Sequence, residues 1–452
     1  MPVKRLKPLY SEVETMKKWS IAGILILSLM AICLGAIVAF VPALGQLWSG
    51  NVQWNFWPNR GFSADLLEEQ TAAVDGPADL TVNTPFGNVD VQAQPSSNEI
   101  SISAHKYAWG TSRQAAEDLL EKVKIIVGQN GNSVDVRVDQ PVEVNIFHIG
   151  PAGISVDFTI LVPTDCTVNA SSASGDIHLK GTSGAAVLHS NFGKVAAEKV
   201  RGGMRAGSES GKVAVYDIAA GEESVEATSS FGDVLVSNAE GSDLLVKSSS
   251  GKILVEDSSF TGRAEISTSF GDIDVSGLKA RSLNARTNSG TVELGGAQVA
   301  DDLTAHSDFG DVEVDNSPAG SYDLSTNSGK VTARDTRGAV KARSGFGDIE
   351  IEGTGAVLDL STSSGQIEFS GSLGDGASVL HSNFGDIRIL LPGDAEFELD
   401  LSTNFGDVSC GFEVAVTREG STHLTGTVGA GGPRLKASTN SGNIHVEPGA
   451  SE

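Results

Sequence analysis

The chain has 452 residues, with 57 Asp or Glu against 32 Lys or Arg, and so carries a formal net charge of −25. A surface this acidic excludes electrostatic docking onto nucleic acid or anionic lipid, and it suits solubility and the attraction of cations or basic peptides. The length would allow several domains, although a long solenoid counts as one.

Residues 1–18 form a basic cytoplasmic segment, with Lys4, Arg5, Lys7, Lys17 and Lys18 against Glu12 and Glu14. Charges then stop. Residues 19–46 contain no ionisable side chain except Cys33, and Ile21 to Val41 is apolar and long enough to span a ~30 Å hydrocarbon core as a transmembrane helix. Basic residues precede the span and the first one beyond it is Arg60, which predicts a single-pass cell-membrane protein with a cytoplasmic N-terminus and an extracytoplasmic C-terminal domain. Trp19 at one end, with Trp48, Trp54 and Trp57 at the other, suits anchoring at the interfaces. A signal peptide cleaved near Val41-Pro42-Ala43 is the competing reading, but the apolar run exceeds the usual length. Residues 47–76 read as a linker.

Residues 77–165 are expected to form an N-terminal cap. Leu80 to Val91 carries one copy of the repeat described below, centred on Gly87. A different pattern follows: an alternating strand at Glu99 to Ala104, then a helix from Ser112 to Lys124 with Thr111 and Gln114 spaced as a capping box. Strands are expected at Ile125 to Val127, Ser133 to Val138, Val142 to Ile146 and Ile154 to Val162. An open first rung would leave an unpaired strand edge, which this segment would cover.

Residues 166–448 are one repeat written many times. Its anchor glycine stands at Gly175, Gly193, Gly211, Gly232, Gly251, Gly271, Gly290, Gly310, Gly329, Gly347, Gly365, Gly385, Gly406 and Gly442, mostly 18 to 21 residues apart. The last gap, 36 residues, fits two periods with a degenerate copy near Gly426. The second residue after each glycine is Ile or Val, the fourth is almost always apolar, and another apolar slot lies five before it, as in Ile266, Ile273 and Val275. Spacing by twos is strand periodicity. A ~20-residue unit that buries a core only when stacked on its copies is a solenoid rung, which gives a wall ~65–70 Å tall.

Inward parity is expected at seven, five, three and one before the glycine, resuming at two and four after it, so the glycine forms a corner at positive φ that absorbs one residue of register. Three before it every copy carries Ser or Thr, from Ser172 to Thr439, an inward hydroxyl placed to bond backbone groups freed by the bend. The residue just before the glycine alternates between serine and Phe192, Phe231, Phe270, Phe309, Phe346 and Phe384. Two readings stand: a corner packed by alternating large and small side chains, or an exposed aromatic stripe with a ~9.6 Å repeat that contacts a partner. Charges just after the glycine alternate too, as in Lys212, Asp233, Lys252 and Asp272, with two exceptions: Lys194 beside Lys212, and Asp386 beside Asp407, a pair that could hold a cation but reads better as a solvated acidic face. Cys166 and Cys410 stand about twelve rungs apart, roughly 58 Å, too far for a disulfide, and the slot of Cys410 predicts a buried thiol.

The repeated Thr/Ser-x-Ser/Phe-Gly-Asp-Ile/Val strands, following a helix-bearing segment that ends at Pro163, resemble the bacterial β-strand-repeat family of adhesin-like cell-envelope proteins. The resemblance covers Leu80 to Val446 and implies a β-solenoid; it carries over no catalytic motif. It also implies a second role, sensing envelope stress caused by cationic peptides.

The expected fold is therefore all-β, a single-stranded β-solenoid (β-helix) of ~19–20-residue rungs with a small α+β N-terminal cap, preceded by one transmembrane helix. The expected function is non-catalytic, adhesin-like or scaffold, toward a surface, glycan or protein ligand. The alternatives are a sensor of cationic peptides and, less favoured, a polysaccharide-active enzyme. The regular step from Gly175 to Gly385 leaves no room for loops that would build a cleft. No cofactor or metal motif occurs, and His189, His306 and His381, although in one outward slot, stand too many rungs apart to share an ion.

Overall fold

The computed structural model describes residues 62–139 and 152–449. One rung shows how the rest are made. Arg263–Phe270 is a strand, Gly271 turns the chain, Ile273–Ser276 is a second strand, and Lys279–Ala280 is a short third side. Ala264, Ile266, Thr268, Ile273, Val275, Leu278 and Ala280 point inward and are buried. Ile266 lies between Val246 and Ala285, and Ile273 between Ile253 and Val292, in parallel, unslipped register. Each such Ile is worth roughly 1.5–3 kcal/mol of burial, available only because a rung lies on either side.

The N-terminal end is closed by chain that folds back. β1 (Phe62–Ala73), β2 (Ala78–Thr84), β3 (Val89–Gln94) and β4 (Glu99–Gly110) precede helix α1 (Arg113–Lys122), and β5 (Lys124–Asn130), β6 (Ser133–Asp139) and β7 (Gly153–Pro163) follow it. The rung of Gly87, made of β2 and β3, pairs on one side with Cys166–Ser174 and Ile177–Lys180 and on the other with β6 and β7. The chain here differs from the expected pattern in three ways. Residues 62–73, expected as linker, form β1, which covers the edge of β4 in antiparallel register. Its Glu68 meets the buried ammonium of Lys106, which also donates to the Val123 carbonyl at 2.7 Å, so an acid that reads as solvated satisfies a buried cation. The helix cap is Ser112, whose hydroxyl accepts from the Ala115 N–H at 3.1 Å, in place of Thr111 with Gln114. The strand expected at Val142 to Ile146, the basic segment and the apolar span lie outside the described residues. Among the described residues no helix is long and apolar enough to cross a membrane.

The C-terminal end departs from sequence order. The strand Arg434–Ser441 pairs with Ala377–Phe384 on one side and Phe397–Phe405 on the other, and Ile444–Pro448 likewise lies between Ile387–Leu391 and Val408–Cys410. The rung of Gly442 is therefore inserted between those of Gly385 and Gly406. The stretch near Gly426 is no degenerate rung. It belongs to an antiparallel hairpin, Val414–Gly420 with His423–Val428, whose second strand covers the edge of Phe397–Phe405. Because Val408–Cys410 is then an outermost strand paired only toward Val446, Cys410 is half-buried rather than buried. Cys166 and Cys410 are both free, and burial pushes the Cys166 thiol up to about 12.

Candidate interaction face

The candidate face is the glycine corner, and its glycines are set by the rung beneath. A Cβ on Gly193 would stand 2.0 Å from the carbonyl oxygen of Gly175, and one on Gly290 would stand 2.2 Å from that of Gly271. Only some of these glycines have φ in the range closed to side chains, among them Gly310 and Gly385. The constraint they share is close approach of backbone to backbone, so the expected positive φ is not the general reason for glycine.

The serine or threonine three residues earlier makes the bond that close approach allows. Ser190 donates to the Gly175 carbonyl at 2.8 Å, Thr287 to Gly271 at 2.9 Å and Thr326 to Gly310 at 2.8 Å. The pattern runs through the reordered end, where Thr439 donates to Gly385 at 3.1 Å and Thr403 to Gly442 at 2.9 Å. Each hydroxyl satisfies a carbonyl inside the wall. Thr287→Val keeps the shape and removes the donor, so it should cost about 1–3 kcal/mol in a urea melt, whereas wild-type stability in that variant would show the bond to be dispensable.

The aspartate after the glycine plays a part that its charge did not reveal. Asp272 accepts the Thr291 backbone N–H at 2.9 Å, Asp311 that of Lys330 at 2.7 Å, and Asp348 that of Gln366 at 2.8 Å. Asp233 and Asp386 do the same for Lys252 and Asn443, so five Phe-Gly-Asp rungs each cap an N–H on the Ser-Gly rung stacked next. The lysines of this column reach diagonally, Lys252 to Asp274 and Lys330 to Glu350, so alternation of charge down the column is not what holds the register. Asp386 and Asp407 are not adjacent. Asn443 stands between them, its N–H donating to Asp386 at 2.7 Å and its side-chain oxygen accepting from the Asp407 N–H at 3.0 Å, which leaves no acidic pair there to hold a cation.

The phenylalanines turn outward. Phe192, Phe231, Phe270, Phe309, Phe346 and Phe384 are 64–69% exposed, and Phe405, absent from the expected set, is 77% exposed. Inward parity therefore ends at the hydroxyl three before the glycine and not at the residue beside it. The reason is space: the inside of the corner is filled by the hydroxyl and the stacked glycine backbones, and a ring has nowhere to enter. Of the two readings the exposed stripe is the one observed. The rings alternate with serines in register, Ser250 to Phe270 to Ser289 to Phe309. The insertion of the last rung keeps this order, since Ser441 lies between Phe384 and Phe405.

Other chemistry along the wall is dispersed. His306 and His381 bond the serine hydroxyls of adjacent rungs at 2.9 and 3.0 Å. Among the described residues no three His, Cys, Asp or Glu side chains gather as metal ligands. A shallow groove of about 800 Å³ runs along the short third side past Phe260, Val299 and Pro318, where Arg281 is already paired with Asp301 at 2.9 Å.

No curated protein matches the chain. Three crystal structures are similar at low identity. A protein from Clostridium sporogenes provisionally called a cell adhesion protein is 9% identical, with 85% of this chain and 100% of that one covered and a TM-score of 0.15. A provisionally named adhesin from Bacteroides fragilis is 12% identical, covering 84% and 97%, with a TM-score of 0.24. A provisionally named lipid-binding protein from Parabacteroides distasonis is 12% identical, covering 68% and 96%, with a TM-score of 0.20. The family described as Toastrack DUF4097 matches residues 78–336 and 265–447, which together span the cap and the stacked rungs, and the chain belongs to that family.

Proposed function

We propose that this protein is a membrane-anchored, extracytoplasmic β-solenoid that serves the bacterial cell envelope as an adhesin-like or scaffold protein, without catalysis. The observation that carries the reading is the wall itself: in-register rungs present the same outward residues again and again, with the polar ones dispersed along a ladder instead of converging on a cleft. Support for the anchor is the uncharged run from Trp19 to Gln46 with basic residues before it. The acidic surface favours one rival, a sensor that draws in cationic peptides.

The two separate in a binding assay of a fragment comprising residues 62–449 on immobilised glycans, whole cells and a cationic amphipathic peptide, from low to high salt. Attachment to glycan or cells that persists in salt is the expected result. Peptide affinity that collapses with salt, with no attachment elsewhere, would replace this reading by the sensor.

A further inference from the structure

The exposed phenylalanine stripe is more regular than a general sticky surface requires. Rings occur on every second rung from Phe192 to Phe405, and serines fill the rungs between them. At ~4.8 Å per rung the rings repeat every ~9.6 Å and each serine leaves a notch one rung deep. From the geometry we infer that the stripe is a zipper for a second copy of this chain, which docks antiparallel with its rings seated in the serine notches.

Three observations select that occupant. The first is spacing. A partner ring midway between two of these rings stands ~4.8 Å from each, inside the ~4.5–7 Å range of favourable aromatic pairs, and a second copy matches the period along the whole wall because it has the same rungs.

The second is charge. A two-fold axis perpendicular to the stripe sets each column of one copy against the same column of the other, in the isologous manner. Offset so that Phe rungs face Ser rungs, it can set Asp311 against the rung of Lys330, Asp386 against that of Lys252 and Asp407 against that of Lys212, while Asp233, Asp272 and Asp348 face the neutral Asn443, Gln366 and Thr291. A parallel two-fold permits no such offset, since it sets every rung against the same rung of the other copy and a ring can never face a serine notch.

The third is area. Seven rings, each 64–77% exposed, cover roughly 700–1,100 Å² per copy at ~150–250 Å² for a whole phenylalanine. A stable complex needs about 800 Å² per partner.

The order of the last rungs fits the same use. Stacked in sequence order, Phe405 would sit directly beside Phe384 and close one notch, and the inserted Ser441 keeps it open.

The test is sedimentation of the full-length protein in detergent over a range of concentration and salt. Wild type should form dimers, more tightly as salt rises, since screening relieves repulsion between two strongly acidic copies. The triple variant Phe231→Ser, Phe270→Ser, Phe309→Ser should weaken dimerisation on the order of 100-fold or more with an unchanged thermal melt. Ser289→Phe, which fills the central notch and leaves every ring in place, should weaken it as well. A wild-type monomer at all concentrations, or dimers in both variants as strong as in wild type, would overturn the proposal. So would a monomer that instead takes up a proline-rich peptide, whose ~9.3 Å helical repeat nearly matches the stripe. Dimerisation is read without glycan or cells, so its failure leaves the adhesin-like reading standing, and the converse holds.

Discussion

Gly347→Ala should destabilise the protein by about 3 kcal/mol or more, the upper end for overpacking a close-packed site. The added Cβ would stand 1.9 Å from the Gly329 carbonyl oxygen and 2.6 Å from its carbon. Side-chain rotation gives no relief, because both contacts are backbone. Lifting the rung instead would stretch the pairing of Val331 with Ile349 and of Ser328 with Phe346, and would break the 3.0 Å bond from Ser344 to Gly329. Gly128→Ala is the control, since nothing lies within 4 Å of a Cβ there, and it should be close to neutral. Urea melts of both, with hydrogen exchange over residues 331–364, measure the difference. Equal melts would mean that the rungs do not stack this closely.

Two phenylalanines should respond in opposite ways. Phe369 sits in the inward slot four after Gly365, fully buried between Ile351 and Ile389, and Phe369→Ala should cost about 3–5 kcal/mol through lost contacts and a cavity that stiff neighbouring strands cannot fill. Phe270 is 64% exposed, and Phe270→Ser should stay within about 0.5 kcal/mol of wild type. Denaturant melts of the two single variants decide this. A large loss at Phe270 would place its ring in the packing of the corner after all.

The rung was legible because its signals are local and repeated. Ile266, Ile273 and Val275 fall inward as their spacing requires, and the serines and threonines bond the glycine carbonyls that the bend exposes. The direction of the phenylalanines was not legible from periodicity, because what turns Phe270 outward is the filled inside of the corner, where the hydroxyl and the stacked glycine backbones leave no room for a ring. The role of Asp272 was hidden for another reason: its partner is a backbone N–H nineteen residues on, and a charge pattern says nothing about backbone groups. β1 was missed since what makes it a strand is the edge of β4 and the ammonium of Lys106, both far along the sequence. The reordered end left a visible trace. Asp386 beside Asp407 was one of two places where the charge alternation failed, and that failure vanishes once Gly442 takes its place between them, whereas Lys194 and Lys212 remain on adjacent rungs.

That insertion bears on how the wall assembles. An interior step joins segments about one repeat apart, as in the 16-residue separation of Thr287 from Gly271, but the Asn443 to Asp386 contact spans 57 residues and the Ser172 to Gly87 contact spans 85. Ring closure over roughly three and a half to five times the length adds about 1–1.5 kcal/mol of entropy per event, so nucleation belongs to the middle of the stack and zippering proceeds outward. The layer of Gly406 is synthesised before the layer it stacks on, and a chain halted short of residue 434 holds Phe397–Phe405 by its antiparallel edge with His423–Val428 alone. The layer of Gly406 thus gains its parallel neighbour only when residues 434–448 slide in beneath it, so this step of stacking runs against the order of the chain.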